Sequence, residues 1–205
     1  MKIIYISDFN CPYSYIGLKR LKKAVNDLNL NVEWEMKSFE LEPNLKGKKS
    51  LSEIEELKKI ADNDGLNIDF EDVEITSSRN AHRLVKYAVT KDLKIAQDLV
   101  EKIFYNNFVK NENISSEEIL TKIAVSCNLD ENEVKRILKS DSYEIEVYLD
   151  FEEAISNGIT ATPCYILTLN EERLIMPGVF PNEDFKTSLK DLSSGNLSKK
   201  NFYMN

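Results

Sequence analysis

A short apolar segment, a cysteine, a proline and a helical pattern follow one another near the start of the chain. Residues 2–7 are mostly apolar and precede a polar turn, which is typical of a short buried strand. Proline is favoured in the first turn of a helix, because its missing N–H would have no partner there anyway. The order predicts a strand over residues 2–7 and a helix from Pro12 to about Leu28, with Cys11 as its N-cap.

Apolar and charged residues alternate after this helix. Val32, Trp34 and Met36 are separated by Glu33 and Glu35, and a period of two is typical of a strand with one buried face. A strand, a helix and a second strand in succession predict an α/β domain.

The long segment over residues 50–157 carries helix signals instead. Capping-box patterns at Ser50–Glu53, Ser115–Glu118 and Asp130–Glu133 each predict a helix start. Amphipathic stripes at helical spacing occur between and after these starts: Ala81, Leu84, Val85 and Ala88; Leu99, Ile103 and Phe104; Ile119, Ile123 and Cys127; Ile145, Leu149 and Ile155. Such stripes predict helices with one face against a core.

The remaining elements close the fold. Gly158 is a typical residue to follow the end of a helix. The apolar runs Cys164–Leu169 and Leu174–Met176 predict a hairpin with its turn at Asn170–Glu172, and residues 181–192 predict a last helix.

Composition excludes several classes of protein. A net charge of −8 disfavours a nucleic-acid partner, since phosphate binding needs clustered positive charge. No apolar run reaches the roughly 20 residues that span a bilayer, and the apolar start of the chain is expected to belong to the fold and not to a signal peptide. Three scattered cysteines predict neither a disulfide framework nor a metal site. We therefore expect a cytoplasmic protein that does not associate with membranes.

Cys11 is the strongest candidate for chemistry. A thiol at a helix N-terminus faces unpaired N–H groups and the positive end of the helix dipole, which favour the thiolate and make Cys11 a candidate nucleophile. Cys127 lies on an apolar stripe with Ile119 and Ile123, so we interpret it as inert core packing.

The segment Cys11-Pro12-Tyr13-Ser14-Tyr15-Ile16-Gly17, preceded by Asp8, resembles the active-site segment of the DsbA-like oxidoreductases of the FrnE type. There Cys-Pro-Trp-Cys-Tyr-Ile-Gly is usual. It is also similar to the segment close to Ser-Pro-Tyr-Ser-Tyr-Leu in 2-hydroxychromene-2-carboxylate isomerases and kappa-class glutathione transferases. Similar blocks follow at Phe39–Pro43, Asn80–Leu84, Phe104 with Phe108, and Gly158–Pro163.

The resemblance implies an α/β fold, thioredoxin-like, with a large all-helical insertion between the second and third strands. Residues 1–49 and 158–193 would form a discontinuous thioredoxin-like domain, and residues 50–157 the inserted helical subdomain. Residues 194–205 lack apolar periodicity and are expected to be a flexible tail.

The resemblance also implies a cis Thr162–Pro163 bond against Cys11. The Thr162 backbone would then pair with an extended peptide or with the cysteinyl part of a thiol such as glutathione. Pro12, Tyr13, Asn80 and His82 would complete a surface for substrate or thiol, although a lone histidine on a helix is more often structural.

Ser14 stands where dithiol oxidoreductases keep a second cysteine, and it cannot resolve a mixed disulfide. It either donates a hydrogen bond to the thiolate of Cys11 or of a bound thiol, or is simply a polar residue of the first helical turn. Cys164 is either a substitute resolving thiol or a buried strand cysteine, whose side chain strand alternation would point away from Cys11.

Three hypotheses follow. The first is a thiol–disulfide oxidoreductase that acts through Cys11 alone by way of a mixed disulfide with a protein or small-thiol substrate. The second is an isomerase or transferase that depends on a glutathione-like thiol, and the third is a non-catalytic module that binds a peptide or small molecule. None of the three hypotheses requires a tightly bound cofactor. Glutathione or another small thiol is the expected co-substrate. The sequence is also compatible with a homodimer.

Overall fold

A computed structural model describes residues 1–47, 49–50, 53–66, 68, 70 and 72–195. The first half of the described chain contains β1 (Lys2–Ser7), α1 (Pro12–Asp27), β2 (Glu33–Ser38), β3 (Lys49–Ser50), α2 (Ile54–Asn63), β4 (Glu74–Ile75), α3 (Arg79–Val89) and α4 (Leu93–Phe108). The second half contains α5 (Glu117–Ser126), α6 (Glu131–Leu138), α7 (Glu144–Ser156), β5 (Cys164–Leu169), β6 (Glu172–Pro177) and α8 (Asn182–Ser193).

The main sheet has the strand order β2-β1-β5-β6. β1 pairs with β2 in parallel, whereas β1 with β5 and β5 with β6 are antiparallel. α1 and α8 pack together on one face of this sheet, and α7 packs near β2 on the other face. The register places Ile6 beside Cys164, so the end of β1 meets the start of β5.

The helices from α2 to α6 share one apolar core with the sheet. Ile16 of α1, Leu84 of α3 and Phe104 of α4 are completely buried in the same cluster. Cys127 is buried there as well, in the apolar surroundings that were predicted. The inserted segment also contains the two-residue ladder of β3 and β4, which its helical patterns did not indicate.

The predicted helix starts meet different outcomes. The Asp130 carboxylate accepts a hydrogen bond from Glu133 N at 2.9 Å, which confirms that cap. The next helix toward the N-terminus is capped by Ser116 instead of Ser115. The start at Ser50 is wrong, because Ser50 belongs to β3 and α2 begins at Ile54.

The predicted apolar stripe of α7 faces outward. Ile145 and Leu149 are 71% and 57% exposed. The helix buries Asp150 instead, whose carboxylate accepts from Ser38 N at 2.8 Å and pairs with two lysines. These are Lys37 and Lys86. A buried carboxylate needs such partners, so this cluster fixes the rotation of α7 and leaves the stripe, including Ile155, on the surface.

The predictions near the end of the chain are confirmed where they can be compared. Gly158 has φ of +75° just after α7, and the hairpin and last helix lie where expected, although the turn is shorter because Glu172 already belongs to β6. Residues 196–205 of the predicted flexible tail lie outside the described residues. Within the described ranges, no helix combines the length and apolarity needed to cross a membrane.

Candidate active site

Cys11 lies at the junction of β1 and α1 and is the N-cap of the helix, as predicted. Its backbone is extended, with φ of −92° and ψ of 108°, and Pro12 follows as the first helical residue. Cys11 N donates to Asp8 O at 3.1 Å, and Ser14 N donates to Cys11 O at 3.0 Å. The first turn of α1 thus fixes the thiol at the helix start.

The loop before β5 faces Cys11 from the opposite side. The Thr162–Pro163 peptide bond is cis, as the resemblance implied. The Cys11 thiol lies 3.5 Å from Thr162 O, to which it donates a weak hydrogen bond. Residues 151 positions apart meet here because β1 and β5 are neighbours in the sheet.

Burial dominates the ionisation of Cys11. Only 4% of the residue is exposed, and this burial raises the pKa of the thiol. The side chains of Ser14 and Thr162 and the Ser14 backbone act in the opposite direction, whereas the Asp8 charge raises the pKa further. The expected preference for the thiolate is therefore wrong for this closed arrangement, because desolvation outweighs the favourable helix terminus.

Ser14 is fully buried beside the thiol. The Ser14 backbone carbonyl accepts a hydrogen bond from the Tyr5 hydroxyl. The Ser14 hydroxyl has no partner at hydrogen-bond distance and angle within the described residues. The hydroxyl still lies close enough to Cys11 to lower the pKa of the thiol. The Ser14 hydroxyl is therefore available to donate a hydrogen bond to a thiolate, which is the more specific of its two predicted roles.

Cys164 occupies the face of the sheet that is remote from α1. It packs in a small apolar cluster with Ile6, Phe39 and Ile166, whereas the next residue, Tyr165, packs in the core that contains α1. Burial raises the pKa of Cys164 to about 11. The hypothesis that Cys164 is a resolving thiol is therefore wrong, because strand alternation turns its side chain away from Cys11. All three cysteines are free thiols.

The two predicted substrate-binding residues on α3, Asn80 and His82, both have partners within the protein. His82 is fully buried, its ring lies 4.8 Å from that of Phe9, and Nε2 lies 3.4 Å from Asp8 Oδ1. The Asn80 side chain accepts from Arg83 at 2.8 Å. His82 therefore cannot touch a substrate in this arrangement, which corrects its expected binding role, and Asn80 is engaged by its own helix.

The two tyrosines beside the thiol differ in exposure. Tyr15 is buried and stacks on Phe104 and Phe108. Tyr13 is half-buried, and its hydroxyl donates to Glu53 Oε2 at 3.3 Å. Desolvation raises the pKa of Tyr13 to about 12. Tyr13 therefore belongs to the rim of the site, where its expected contact with substrate stays a prediction.

Sequence reasoning missed the contacts that hold the Cys11 loop. Asn10 donates to Thr76 O at 2.6 Å, and Asn107 donates to Phe9 O at 2.9 Å. The Asp8 carboxylate accepts from Leu41 N at 2.7 Å. One signal in the sequence was Asn107, a polar residue between Phe104 and Phe108.

A cysteine at the N-terminus of a helix that faces a cis-proline loop across β1 and β5 defines the thioredoxin-like class of redox folds. The sequence matches the DSBA-like thioredoxin domain over residues 2–192. The chain therefore belongs to the DsbA-like thioredoxin family, which has oxidoreductases and isomerases among its members.

Solved structures resemble the chain over nearly its whole length. A probable DsbA oxidoreductase from Streptomyces coelicolor is 25% identical with a TM-score of 0.84, covering 95% of this chain and 90% of its own. A 2-hydroxychromene-2-carboxylate isomerase shares the fold at 17% identity with a TM-score of 0.73. The match covers 98% of this chain and 100% of the isomerase. The cytosolic disulfide reductase DsbM from Pseudomonas aeruginosa, solved with GSH, shares the fold at 14% identity with a TM-score of 0.67. The match covers 95% of this chain and 100% of DsbM.

Proposed function

We propose that this protein is a thiol–disulfide oxidoreductase that acts through Cys11 alone. The observation that carries the proposal is the contact between the Cys11 thiol and Thr162 O at the cis-proline loop. This contact places the thiol beside a backbone edge on which a peptide or small thiol can pair. Ser14 and Cys164 offer no second thiol to that position.

The reaction is an exchange of disulfide bonds with an external thiol. The Cys11 thiolate attacks one sulfur of a substrate disulfide, that S–S bond breaks, and the departing thiolate takes up a proton. The other half of the substrate remains on Cys11 as a mixed disulfide. A second external thiol gives up its proton and attacks this disulfide, which releases Cys11 as a thiolate and the substrate half as a new disulfide.

The closed contact explains how substrate could activate the thiol. A substrate that pairs with Thr162 displaces the thiol from Thr162 O, and the Ser14 hydroxyl can then donate to the thiolate. Cys11 becomes reactive when the site is occupied, although burial raises the pKa of its thiol in the unoccupied site.

Glutathione, or another small thiol of the cytoplasm, is the external thiol that we propose. DsbM, a cytosolic disulfide reductase of the same fold, has been solved with GSH. The thiol acts as a co-substrate, so the proposal needs no tightly bound cofactor. The other substrate is a disulfide of a protein or of a small molecule.

An isomerase or transferase is the second candidate, favoured by the un-ionised Cys11 thiol and the available Ser14 hydroxyl. In this case both groups donate hydrogen bonds to the thiolate of a bound glutathione, and Cys11 forms no disulfide. The structural match to a 2-hydroxychromene-2-carboxylate isomerase is compatible with this chemistry.

A glutathionylated peptide with a fluorophore and a quencher on its two halves separates the candidates. The oxidoreductase should release fluorescence with glutathione present, and without glutathione mass spectrometry should find an adduct on Cys11. Cys11→Ser should abolish both signals, whereas the control Cys164→Ala should keep them. Saturable glutathione binding without fluorescence release and without an adduct would reject the proposal in favour of the isomerase. If glutathione does not bind either, the protein is a non-catalytic module.

A further inference from the structure

Asp8 is a buried acidic residue that connects three separate parts of the chain. Its backbone carbonyl accepts from Cys11 N at 3.1 Å, and its carboxylate accepts from Asn10 N at 3.2 Å. The same carboxylate accepts from Leu41 N beyond β2 at 2.7 Å and lies 3.4 Å from His82 Nε2 on α3. Asp8 and His82 are both completely buried.

A carboxylate in such a place is costly unless its charge has a purpose or a partner. Burial alone would raise the pKa of Asp8, but hydrogen bonds with His82, Leu41 and Ser78 outweigh it and lower the pKa. Asp8 is therefore ionised at neutral pH. Its negative charge lies in a dry region, where charge interactions are screened much less than in water.

We propose that Asp8, held in place by His82, is a positioning residue that fixes the Cys11 turn and opposes ionisation of Cys11 until substrate enters. The inference rests on the proposed role of Cys11 as the reacting thiol and adds a control of its reactivity. A resting enzyme with a protonated thiol is protected against adventitious oxidation, because the thiolate is the form that oxidants attack.

The surroundings of the two groups identify which charges matter. Asp8 is faced by His82 from α3, by Cys11 from the start of α1 and by Tyr5 from β1. Tyr5, Tyr13 and Tyr165 also face Cys11. The tyrosines are neutral at physiological pH because the pKa of each is raised. Among these groups, Asp8 supplies the negative charge that acts on Cys11.

Alkylation of Cys11 by iodoacetamide against pH tests the proposal, with mass spectrometry of peptides to separate Cys11 from the other cysteines. Asp8→Asn keeps the size of the side chain and removes its charge, and it should lower the pKa of Cys11 and so shift its alkylation profile to lower pH. The control is Asn107→Ala, which disturbs the same loop but keeps the Asp8 charge. This control should not lower the pKa of Cys11.

An equal fall in Asp8→Asn and Asn107→Ala would show that a loosened loop exposes the thiol, and it would overturn the proposal, as would no fall in Asp8→Asn. A second measurement needs no change at Asp8. In the wild-type protein, the ¹³C resonance of the Asp8 carboxyl should shift over the pH range in which Cys11 ionises, and Cys11→Ala should abolish that shift. Absence of the shift in the wild type would also overturn the proposal.

The two proposals fail in different ways. If Asp8→Asn lowers the pKa of Cys11 but the wild-type protein exchanges no disulfide, the proposed function fails and the control of ionisation stands. If exchange occurs and the pKa of Cys11 ignores Asp8, the inference fails and the function stands.

Discussion

Replacement of Gly17 by alanine should disturb the packing of α1 on β5. The Tyr165 hydroxyl occupies the space that a Cβ on residue 17 would need, and Tyr165 Cζ lies 3.2 Å from the same position. Val179 Cγ2 lies 3.6 Å away. Because Tyr165 is completely buried, its ring cannot move into solvent to make room.

Two opposing effects set the size of the change. Alanine is favoured over glycine within a helix by about 1 kcal/mol. An extra methyl group forced into a packed core costs about 1–3 kcal/mol. The overlap involves a rigid, buried ring, so the upper part of this range, about 2–3 kcal/mol, applies. After subtraction of the helix preference, we expect Gly17→Ala to lower the free energy of unfolding by about 1–2 kcal/mol.

Urea unfolding followed by circular dichroism measures this change, with Tyr165→Phe and the double variant as partners. The Tyr165 hydroxyl has no hydrogen bond within the described residues, so its removal alone should be almost neutral. The double variant should recover the stability that Gly17→Ala loses. If Gly17→Ala stabilises the protein by the helix preference alone, or if the two changes are simply additive, the reasoning is refuted.

Two further predictions concern ionisation. Ser14→Ala should raise the pKa of Cys11, because the Ser14 hydroxyl lowers it; alkylation against pH measures this, and an unchanged profile would contradict the role of the hydroxyl. The lowered pKa of Asp8 contributes stability that is fully present above about pH 4 and is lost as pH falls through the folded-state value. Urea unfolding from pH 7 to pH 3 should therefore show a shallower loss of stability in Asp8→Asn than in the wild type, and equal slopes would count against the assignment.

The site around Cys11 could be predicted where its chemistry is local. A proline after a cysteine at the end of an apolar run specifies a helix start within a few residues, and α1 begins at Pro12. The cis bond before Pro163 followed from resemblance and not from residue patterns, because trans is the usual state of such a bond.

The contacts that could not be predicted from the sequence join distant parts of the chain. The rotation of α7 depends on Asp150, whose partners Lys37 and Lys86 lie on β2 and α3. Apolar periodicity does not include such a pairing, so it assigned the wrong face to the core. The role of His82 was missed for the same reason, since Asp8 is 74 positions away.

The side chain of Asn107 and the carbonyl of Thr76 belong to the segment between β2 and β5, yet they hold Phe9 and Asn10 immediately before the thiol. The sheet alone therefore does not complete the reactive loop. A chimera that received this segment from a relative would inherit a changed thiol environment along with a changed binding surface, so in this architecture substrate choice and thiol reactivity are expected to diverge together among relatives.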